Sequence, residues 1–183
     1  MKHEPTRLEI FLTKLTFLLY GKSVYQAFAD RLPLNGNERV LDFGCGMGTV
    51  AYFAVKKLPH GHLTCLDVSK RWLNACRKTL RIYGNVTFLR TESSELSKGS
   101  YEVAYCHFVL HELSDDELER VIPALANSLK SGGMLAFREP LNEAKKLGVI
   151  KRRIEQSGLS LKDSRVTDIP LMGNALESIY IKQ

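Results

Sequence analysis

Short apolar runs alternate with amphipathic segments along most of this chain. Alternating or continuous apolar runs indicate strands, and apolar residues at intervals of three and four indicate helices. We therefore predict strands at residues 40–43, 62–66, 86–89, 101–106, 134–138, 161–169 and 178–182, and helices at 49–58, 70–83, 114–130 and 143–156. This alternation predicts right-handed crossover connections and a mainly parallel sheet.

The first 32 residues carry two helix signals before the first predicted strand. Thr6 and Glu9 form a capping box, and Gly21 is predicted to end the helix that this box opens. Ser23 repeats the signal, and the second helix is predicted to stop before Pro33. Two interpretations stay open: packing against the sheet edge, or a lid over a bound ligand. The tyrosines that a lid would contribute are Tyr20 and Tyr25.

Four further signals concern helix boundaries in the second half of the chain. Ser114 opens a second capping box, and Pro123 is predicted to kink the helix that follows or to mark a fresh start. The Ser-Gly-Gly stretch at 131–133 is predicted to end that helix. Asn142 is predicted to cap the next helix.

A glycine-rich turn follows the first predicted strand, in the stretch RVLDFGCGMGT at residues 39–49. Gly44, Gly46 and Gly48 stand at alternate positions before a predicted helix. Glycines suit this turn because any Cβ would hold a ligand away from the backbone N–H groups, and tight turns need positive φ. The dinucleotide fingerprint G-x-G-x-x-G requires glycine where this chain has Thr49, which disfavours a nicotinamide oxidoreductase.

Composition and charge set bounds on the class of protein. The chain has 183 residues, of which 44% are apolar and 25% charged, which suits one domain with a proper core. The net charge is +6 with an isoelectric point near 9.2, but the charges are dispersed, which favours a solubility role. Glu9 and Lys14 interrupt the apolar N-terminal stretch, so we expect no membrane span, no signal peptide and a cytoplasmic location.

The four cysteines are Cys45, Cys65, Cys76 and Cys106. None of them forms a C-x-x-C pair, so their spacing signals neither a zinc site nor a redox motif. A reduced cysteine in or beside a strand behaves as a small buried apolar residue. The sequence therefore predicts that the cysteines bind no metal.

Asp67 closes the second predicted strand, nineteen residues after Gly48. In open parallel sheets ligands bind at the carboxyl ends of the strands, and a carboxylate there can accept both hydroxyl protons of a ribose. Asp67 also precedes Ser69, so it can equally help to cap the next helix. The two roles are compatible, and we predict the ribose contact.

Four sequence blocks together resemble one known family. They are the acidic-x-G-x-G-x-G turn at residues 42–48, FLRTESSEL at 88–96, YEVAYCHFVLHEL at 101–113 and LANSLKSGGMLAFREP at 125–140. Their order and spacing resemble those of class I S-adenosylmethionine-dependent methyltransferases. This resemblance implies an α/β fold, a three-layer sandwich with a mostly parallel, doubly wound, seven-stranded sheet and an antiparallel last strand. It also implies a single domain over 1–183, with a helical cap at 1–32, a cofactor core at 39–140 and C-terminal elements at 141–183.

The cofactor implied by the resemblance is S-adenosyl-L-methionine, with S-adenosyl-L-homocysteine as the product. Glu92 matches the position that contacts adenine, with Glu95 as a competing choice and a solvated loop carboxylate as the alternative. Carried over by position, the cofactor-binding residues are Asp42, Gly44, Cys45, Gly46, Gly48, Asp67, Val68, Glu92, Ser93 and His107.

The tip of the fourth predicted strand faces the reactive methyl group in the resembling family. His107 is a candidate catalytic base or substrate contact at that tip. His111 follows four residues later, but no third metal ligand is evident, so the two histidines do not predict a zinc site. We expect His111 to pack in the fold or to cap a helix. Arg138 and Glu139 either line the substrate side or form a surface turn. The candidate substrate residues are Tyr20, Tyr25, His111 and Arg138.

Three functional hypotheses follow from the resemblance. The favoured one is in-line methyl transfer to a small-molecule substrate, since base-methylation signatures are absent from the strand-four tip. The second is an RNA methyltransferase, because Lys145, Lys146, Lys151, Arg152 and Arg153 form a basic stretch. The third is a non-catalytic module that binds the cofactor or a protein partner. The substrate atom and the oligomeric state are not determined by the sequence.

Overall fold

The computed structural model describes residues 4–91, 96–170 and 173–183. The helices are α1 (Arg7–Tyr20), α2 (Ala27–Ala29), α3 (Ala51–Ala54), α4 (Lys70–Thr79), α5 (Asp115–Ser128) and α6 (Ala144–Gln156). The strands are β1 (Arg39–Phe43), β2 (His62–Leu66), β3 (Val86–Leu89), β4 (Tyr101–His107), β5 (Leu129–Pro140), β6 (Leu159–Ile169) and β7 (Gly173–Lys182). No helix within the described ranges is long and apolar enough to cross a membrane.

The strands form a seven-stranded sheet in the order β3-β2-β1-β4-β5-β7-β6. β1 pairs with β2, β2 with β3 and β4 with β5 in parallel, whereas β7 runs antiparallel to both β5 and β6. The predicted α/β class, the mostly parallel sheet and the antiparallel last strand are therefore confirmed. The chain also divides into two compact units, Lys2–Thr91 and Glu92–Gln183, which we describe separately.

The first unit is built on three parallel strands whose inner residues are almost all apolar. Residues 40–43 of β1 and 63–66 of β2 are buried without interruption, as expected of parallel strands that are covered on both faces. Amphipathic α4 turns Leu73 and Cys76 inward and contacts β2 and β3. The carboxyl ends of β1 and β2, which carry the glycine turn and Asp67, are thus held by packed elements.

The N-terminal helix begins as predicted but does not end as predicted. The capping box is present, since the Thr6 N–H donates to Glu9 Oε2 over 2.6 Å and the Glu9 N–H donates to Thr6 Oγ1 over 3.1 Å. Gly21, however, keeps right-handed helical angles, and the chain continues through a π-helical turn at Gly21–Gln26 into α2. Ser23 caps nothing, because its hydroxyl donates to the Tyr20 carbonyl within the same helical run. Without a left-handed C′ conformation a glycine does not terminate a helix, so both boundary predictions are wrong.

The α1 helix presents a broad apolar surface to solvent. None of its residues is buried. Its exposed large apolar side chains are Leu8, Phe11, Leu12, Leu15, Leu18 and Leu19. The apolar spacing in the sequence therefore predicted the helix correctly. The apolar side chains do not form a buried face, however.

In the second unit, α5 begins with the predicted capping box, in which Ser114 and Glu117 exchange backbone and side-chain hydrogen bonds. The helix runs without interruption through Pro123, so the predicted fresh start is wrong. It ends at Ser128, and β5 begins at the next residue, so the Ser-Gly-Gly stretch lies within a strand. A 3₁₀ turn at Leu141–Glu143 precedes α6, whose N-cap makes no side-chain hydrogen bond, so Asn142 does not cap it. The pairing of β5 with β4, which starts at Leu129, explains why α5 ends before the Ser-Gly-Gly stretch.

Candidate functional site

The glycine turn after β1 is tied to the end of β2. Gly44, Gly46 and Gly48 all adopt positive φ, at 73°, 53° and 80°. The N–H groups of Gly44 and Cys45 both donate to the Leu66 carbonyl, over 2.8 and 3.0 Å. A side chain would be strained at each of the three glycines, which explains the alternate spacing in the sequence.

Asp67 joins this turn to the start of α4. Its Oδ2 accepts the Gly46 N–H over 3.0 Å, and its Oδ1 accepts the Ser69 N–H over 2.9 Å. The carboxylate is 2% exposed, and burial raises its pKa although the two N–H bonds oppose the shift. A carboxylate has about four acceptor positions, so two remain for hydroxyl groups of a ligand. The helix-capping contact and a ligand contact are therefore compatible, as the sequence suggested.

The N-terminus of α4 holds a second carboxylate, which sequence reasoning missed. Ser69 caps the helix by accepting the Trp72 N–H, and its hydroxyl donates to Glu4 over 2.8 Å. Glu4 also accepts the N–H groups of Lys70 and Arg71, and the Ser69 hydrogen bond lowers its pKa. No sequence signal connects Glu4 to Ser69, because the two are 65 positions apart.

The other predicted residues of the first unit surround the same turn. Asp42 is 3% exposed and lies opposite Cys65 in the β1–β2 register, and Val68 is half-buried beside Asp67. A Cβ built on Gly46 would meet no atom within 4 Å, so the backbone at Gly46 faces open space. Two predicted adenine contacts, Glu92 and Ser93, and the competing Glu95 lie outside the described residues.

A cavity of about 660 Å³ lies in the first unit, lined by α1, Met47 of the glycine turn and α4. Its apolar lining comes from Ile10, Phe17, Leu18, Met47 and Tyr52. Its charged lining is entirely cationic and consists of Arg7, Lys14, Arg71, Lys78 and Arg81. Tyr25, predicted for a lid, is instead buried and packs against Phe17 with ring centroids 5.9 Å apart, while Tyr20 is half-exposed.

In the second unit, His107 ends β4 and lies half-buried beside Arg138. His107 Nε2 is 3.4 Å from Arg138 Nη1, and the ring contacts Phe108. Burial, and then the neighbouring guanidinium, hold the pKa of His107 well below its usual value. The imidazole is therefore held in its neutral form, in which Nε2 can accept from the Arg138 guanidinium.

Phe108, next to His107, has a positive φ of 56°. Among the residues that the structure describes, no other non-glycine residue has one. An aromatic residue in this region is a genuine outlier, and such strain persists where the surrounding structure imposes it. The Phe108 N–H donates to the Arg138 carbonyl over 2.9 Å, which continues the β4–β5 pairing past the strand end. Nothing in the sequence signals this conformation, because phenylalanine rarely adopts it.

Glu139 organises the loop that follows β4. It is fully buried, and its Oε1 accepts the N–H groups of Val109 and Leu110 over 3.0 and 2.7 Å. Its Oε2 lies 2.5 Å from His111 Nδ1. Partial burial disfavours the charged imidazole, but the Glu139 hydrogen bond and the charges of Glu139 and nearby carboxylates together outweigh this effect and raise the pKa of His111. His111 therefore pairs with Glu139, a partner that the sequence did not identify, and its predicted contact to a substrate stays a prediction.

The surface-turn interpretation of Arg138 and Glu139 is wrong. Arg138 is 1% exposed, and its guanidinium donates from Nε and Nη2 to Glu177 Oε1 in the neighbouring strand β7. Arg165 of β6 donates to the other oxygen of Glu177 over 2.8 Å. Strand β5 extends to Pro140, so these charged residues lie inside a paired strand and need buried partners.

We expect Gly48→Ala to destabilise the first unit strongly. The new Cβ would lie 2.7 Å from Cys76 Sγ at a residue whose φ is 80°. Backbone strain and overpacking together predict a loss of about 2–4 kcal/mol in the free energy of unfolding, measured by urea denaturation. Gly84→Ala is the control, because a Cβ there meets nothing within 4 Å at an ordinary φ. Equal effects of the two substitutions would contradict this account of the turn.

We expect the His111–Glu139 pair to stabilise the fold at acidic to neutral pH. Because the pKa of His111 is raised in the folded state, its contribution is complete below the unfolded pKa near 6.5 and is lost as pH rises through the folded pKa. His111→Gln should cost about 2 kcal/mol at pH 6 and less at pH 9, measured by urea denaturation. His60→Gln, at an exposed turn, should show no such pH dependence. A cost that is constant with pH would contradict the charged pair.

Comparisons with known proteins agree with this arrangement. A family model described as "Methyltransferase domain" matches residues 40–133. A tRNA N(3)-methylcytidine methyltransferase of Schizosaccharomyces pombe is 28% identical over 63% of this chain and 48% of its own length. A trans-aconitate 2-methyltransferase of Methylobacterium nodulans is 30% identical over 68% of this chain and 46% of its own length. This chain thus spans less than half of the length of these curated relatives.

A solved S-adenosylmethionine-dependent methyltransferase from Aquifex aeolicus shares the fold. It superposes with a TM-score of 0.75 at 18% identity, covering 93% of this chain and 98% of that one. The family match covers the glycine turn, Asp67 and β4, which are the elements that carry the predicted site. The chain therefore belongs to the class I S-adenosylmethionine-dependent methyltransferase family.

Proposed function

We propose that this chain transfers the methyl group of S-adenosylmethionine to a small anionic molecule. The observation that carries the proposal is the glycine turn, whose backbone at Gly46 faces open space beside the buried Asp67 carboxylate. Family membership makes S-adenosylmethionine the expected methyl donor. The acceptor class rests on the cationic cavity between α1 and α4.

The residues of the turn fit an adenosyl sulfonium ligand. Gly46 leaves the backbone uncovered, so the methionine end of the cofactor can approach the turn closely there. Asp67 has two acceptor positions left after its bonds to Gly46 and Ser69, which matches the two hydroxyl groups of a ribose. We also propose that Asp42, Cys45 and Val68 line this site and that Glu92 and Ser93 contact the adenine.

When bound, S-adenosylmethionine supplies a methyl group that is already activated on a sulfonium sulfur. The protein then has to align an acceptor with that methyl group and exclude water, which requires neither a metal nor a covalent intermediate. A general base is needed only if the acceptor is protonated at working pH. A carboxylate acceptor is deprotonated at neutral pH, so the proposed reaction does not require His107 as a general base.

The cavity favours a small anion over an uncharged acceptor. Its volume of about 660 Å³ falls within the range of about 300–1,000 Å³ that small-molecule sites occupy. Five cationic side chains line it without a carboxylate, and within residues 4–91 none of the five forms a salt bridge. The apolar side chains of Phe17, Leu18 and Met47 suit an acceptor with an apolar body and a negative end. The trans-aconitate relative is named for a small carboxylate acceptor.

An RNA acceptor is the second candidate, because one curated relative is named for a tRNA substrate. The basic stretch on α6 supports it only weakly. Lys146 is paired with Asp115 of α5 over 2.7 Å, and Arg153 is paired with Glu119 of α5 over 3.2 Å. These two ion pairs link α6 to α5. The remaining cations, Lys145, Lys151 and Arg152, therefore form a smaller basic patch for RNA than the sequence suggests.

We expect Asp67→Asn to weaken S-adenosylmethionine binding at least tenfold, or about 1.4 kcal/mol, in isothermal titration calorimetry. The Gly46 and Ser69 N–H groups bond to different oxygens of Asp67, so the NH2 group of asparagine replaces one of these acceptors and leaves a single oxygen with too few positions for the ribose hydroxyls. Asp30→Asn, an exposed carboxylate of the same unit, should bind normally. Undiminished affinity in a folded Asp67→Asn variant would contradict the proposed contact between Asp67 and the ribose.

We expect small carboxylic acids with an apolar body to yield S-adenosylhomocysteine when offered with S-adenosylmethionine. Lys14→Gln with Lys78→Gln should raise KM for such an acid about fivefold or more with less change in kcat, because these lysines attract the anion without touching the methyl group. Lys70→Gln, an exposed lysine of α4 outside the cavity, is the control. Turnover of tRNA with no turnover of any acid would reject the small-anion acceptor and favour the RNA candidate.

A further inference from the structure

Three cysteine thiols meet beneath the glycine turn. Cys45 lies in the turn, Cys65 in β2 and Cys76 in α4. Their sulfur atoms all lie within 4.8 Å of one another, and all three residues are buried. The fourth cysteine, Cys106, is buried separately in β4. Three elements far apart in sequence therefore direct sulfur atoms at one point.

The donor set and its spacing suit a thiophilic metal ion. Thiolate sulfur selects soft or borderline ions such as Zn²⁺, Cd²⁺ and Cu⁺. A metal–sulfur distance of about 2.3 Å places tetrahedral ligands about 3.8 Å apart, so the sulfur atoms need to close by no more than about 1 Å. If these positions served only core packing, any small apolar residues would be sufficient. Core packing would not require three sulfur atoms close enough to bind one metal ion.

Hydrogen bonds and close packing already hold the backbone around the three sulfur atoms in place. The Cys45 N–H donates to the Leu66 carbonyl at the end of β2, the strand that carries Cys65. Cys76 belongs to α4, whose first turn is capped by Ser69. Gly48 makes room for the cluster, because a Cβ there would lie 2.7 Å from Cys76 Sγ. Metal ligation would thus reinforce a geometry that backbone hydrogen bonds and close packing already hold.

We propose that Cys45, Cys65 and Cys76 bind one thiophilic metal ion of the Zn²⁺ and Cd²⁺ class behind the glycine turn. On binding, the S–H bonds that remain break, the metal forms three bonds to sulfur, and the displaced protons pass to solvent. The ion would connect the glycine turn to β2 and α4. The proposal does not depend on the acceptor, and it adds a metal site where cysteine spacing predicted none.

The protonation of the thiols supports this arrangement. Hydrogen bonds from Cys45 and Cys65 lower the pKa of Cys76 to about 5. Burial raises the pKa of Cys45, and the pKa of Cys65 is raised as well by Cys76 and by burial, although its hydrogen bond with Cys45 opposes this shift. These two thiols must lose protons to the metal, so affinity should increase with pH.

The test is a titration of the reduced, chelator-treated chain with Cd²⁺ alone. We expect thiolate-to-cadmium charge-transfer absorption in the ultraviolet that saturates at one ion per chain, with proton release and a rise in Tm. The wild-type titration decides by itself, since a folded chain without this absorption overturns the proposal.

Variants then assign the ligands. Cys76→Ala and Cys65→Ala should each weaken Cd²⁺ binding about 100-fold, whereas Cys106→Ala should bind as the wild type does. Circular dichroism checks that each variant is folded. Absorption that survives in folded Cys76→Ala, or that is lost equally in Cys106→Ala, would overturn the assignment. Zn²⁺ competition for bound Cd²⁺ then compares the two ions at the same site.

Discussion

One buried carboxylate sets the geometry of the first unit. Asp67 accepts the Gly46 N–H on one oxygen and the Ser69 N–H on the other, so the glycine turn and the start of α4 share a single anchor. A carboxylate buried in this way is costly unless it is hydrogen-bonded, and the two backbone donors supply that compensation. The same bonds leave acceptor positions free on a side chain that cannot rotate, which is how a ligand site is preorganised.

The second unit uses the same device with Glu139. This carboxylate is fully buried, accepts backbone N–H groups from the loop after β4 and pairs with His111. It thereby holds the residues that follow His107 in a fixed path, including the strained Phe108. In both units, an acidic residue at the carboxyl end of one strand accepts backbone N–H groups from the loop that follows the neighbouring strand.

These anchors also explain which sequence signals were reliable. The ends of β2 were predicted correctly from its apolar run, since a parallel strand buried on both faces differs sharply from its flanking turns. The ends of β3 were also predicted correctly, although it is an edge strand without a buried residue. The Thr6 and Ser114 capping boxes were also correct, because the residues involved are only three positions apart. Gly21 and Asn142 were wrong as boundaries, because a single residue's propensity is weak against helix continuation and strand pairing.

The sequence by itself determined the strand order along the chain, the glycine turn with its acidic neighbour and the family. Only the tertiary structure decided the partners of the buried charges, such as Glu4 with Ser69, Glu139 with His111 and Glu177 with Arg138. It also decided the meeting of three thiols and the cationic cavity beside α1. The physical reason is sequence distance: periodicity and caps act within a few residues, whereas a buried charge or thiol is satisfied by whichever element the fold brings to it.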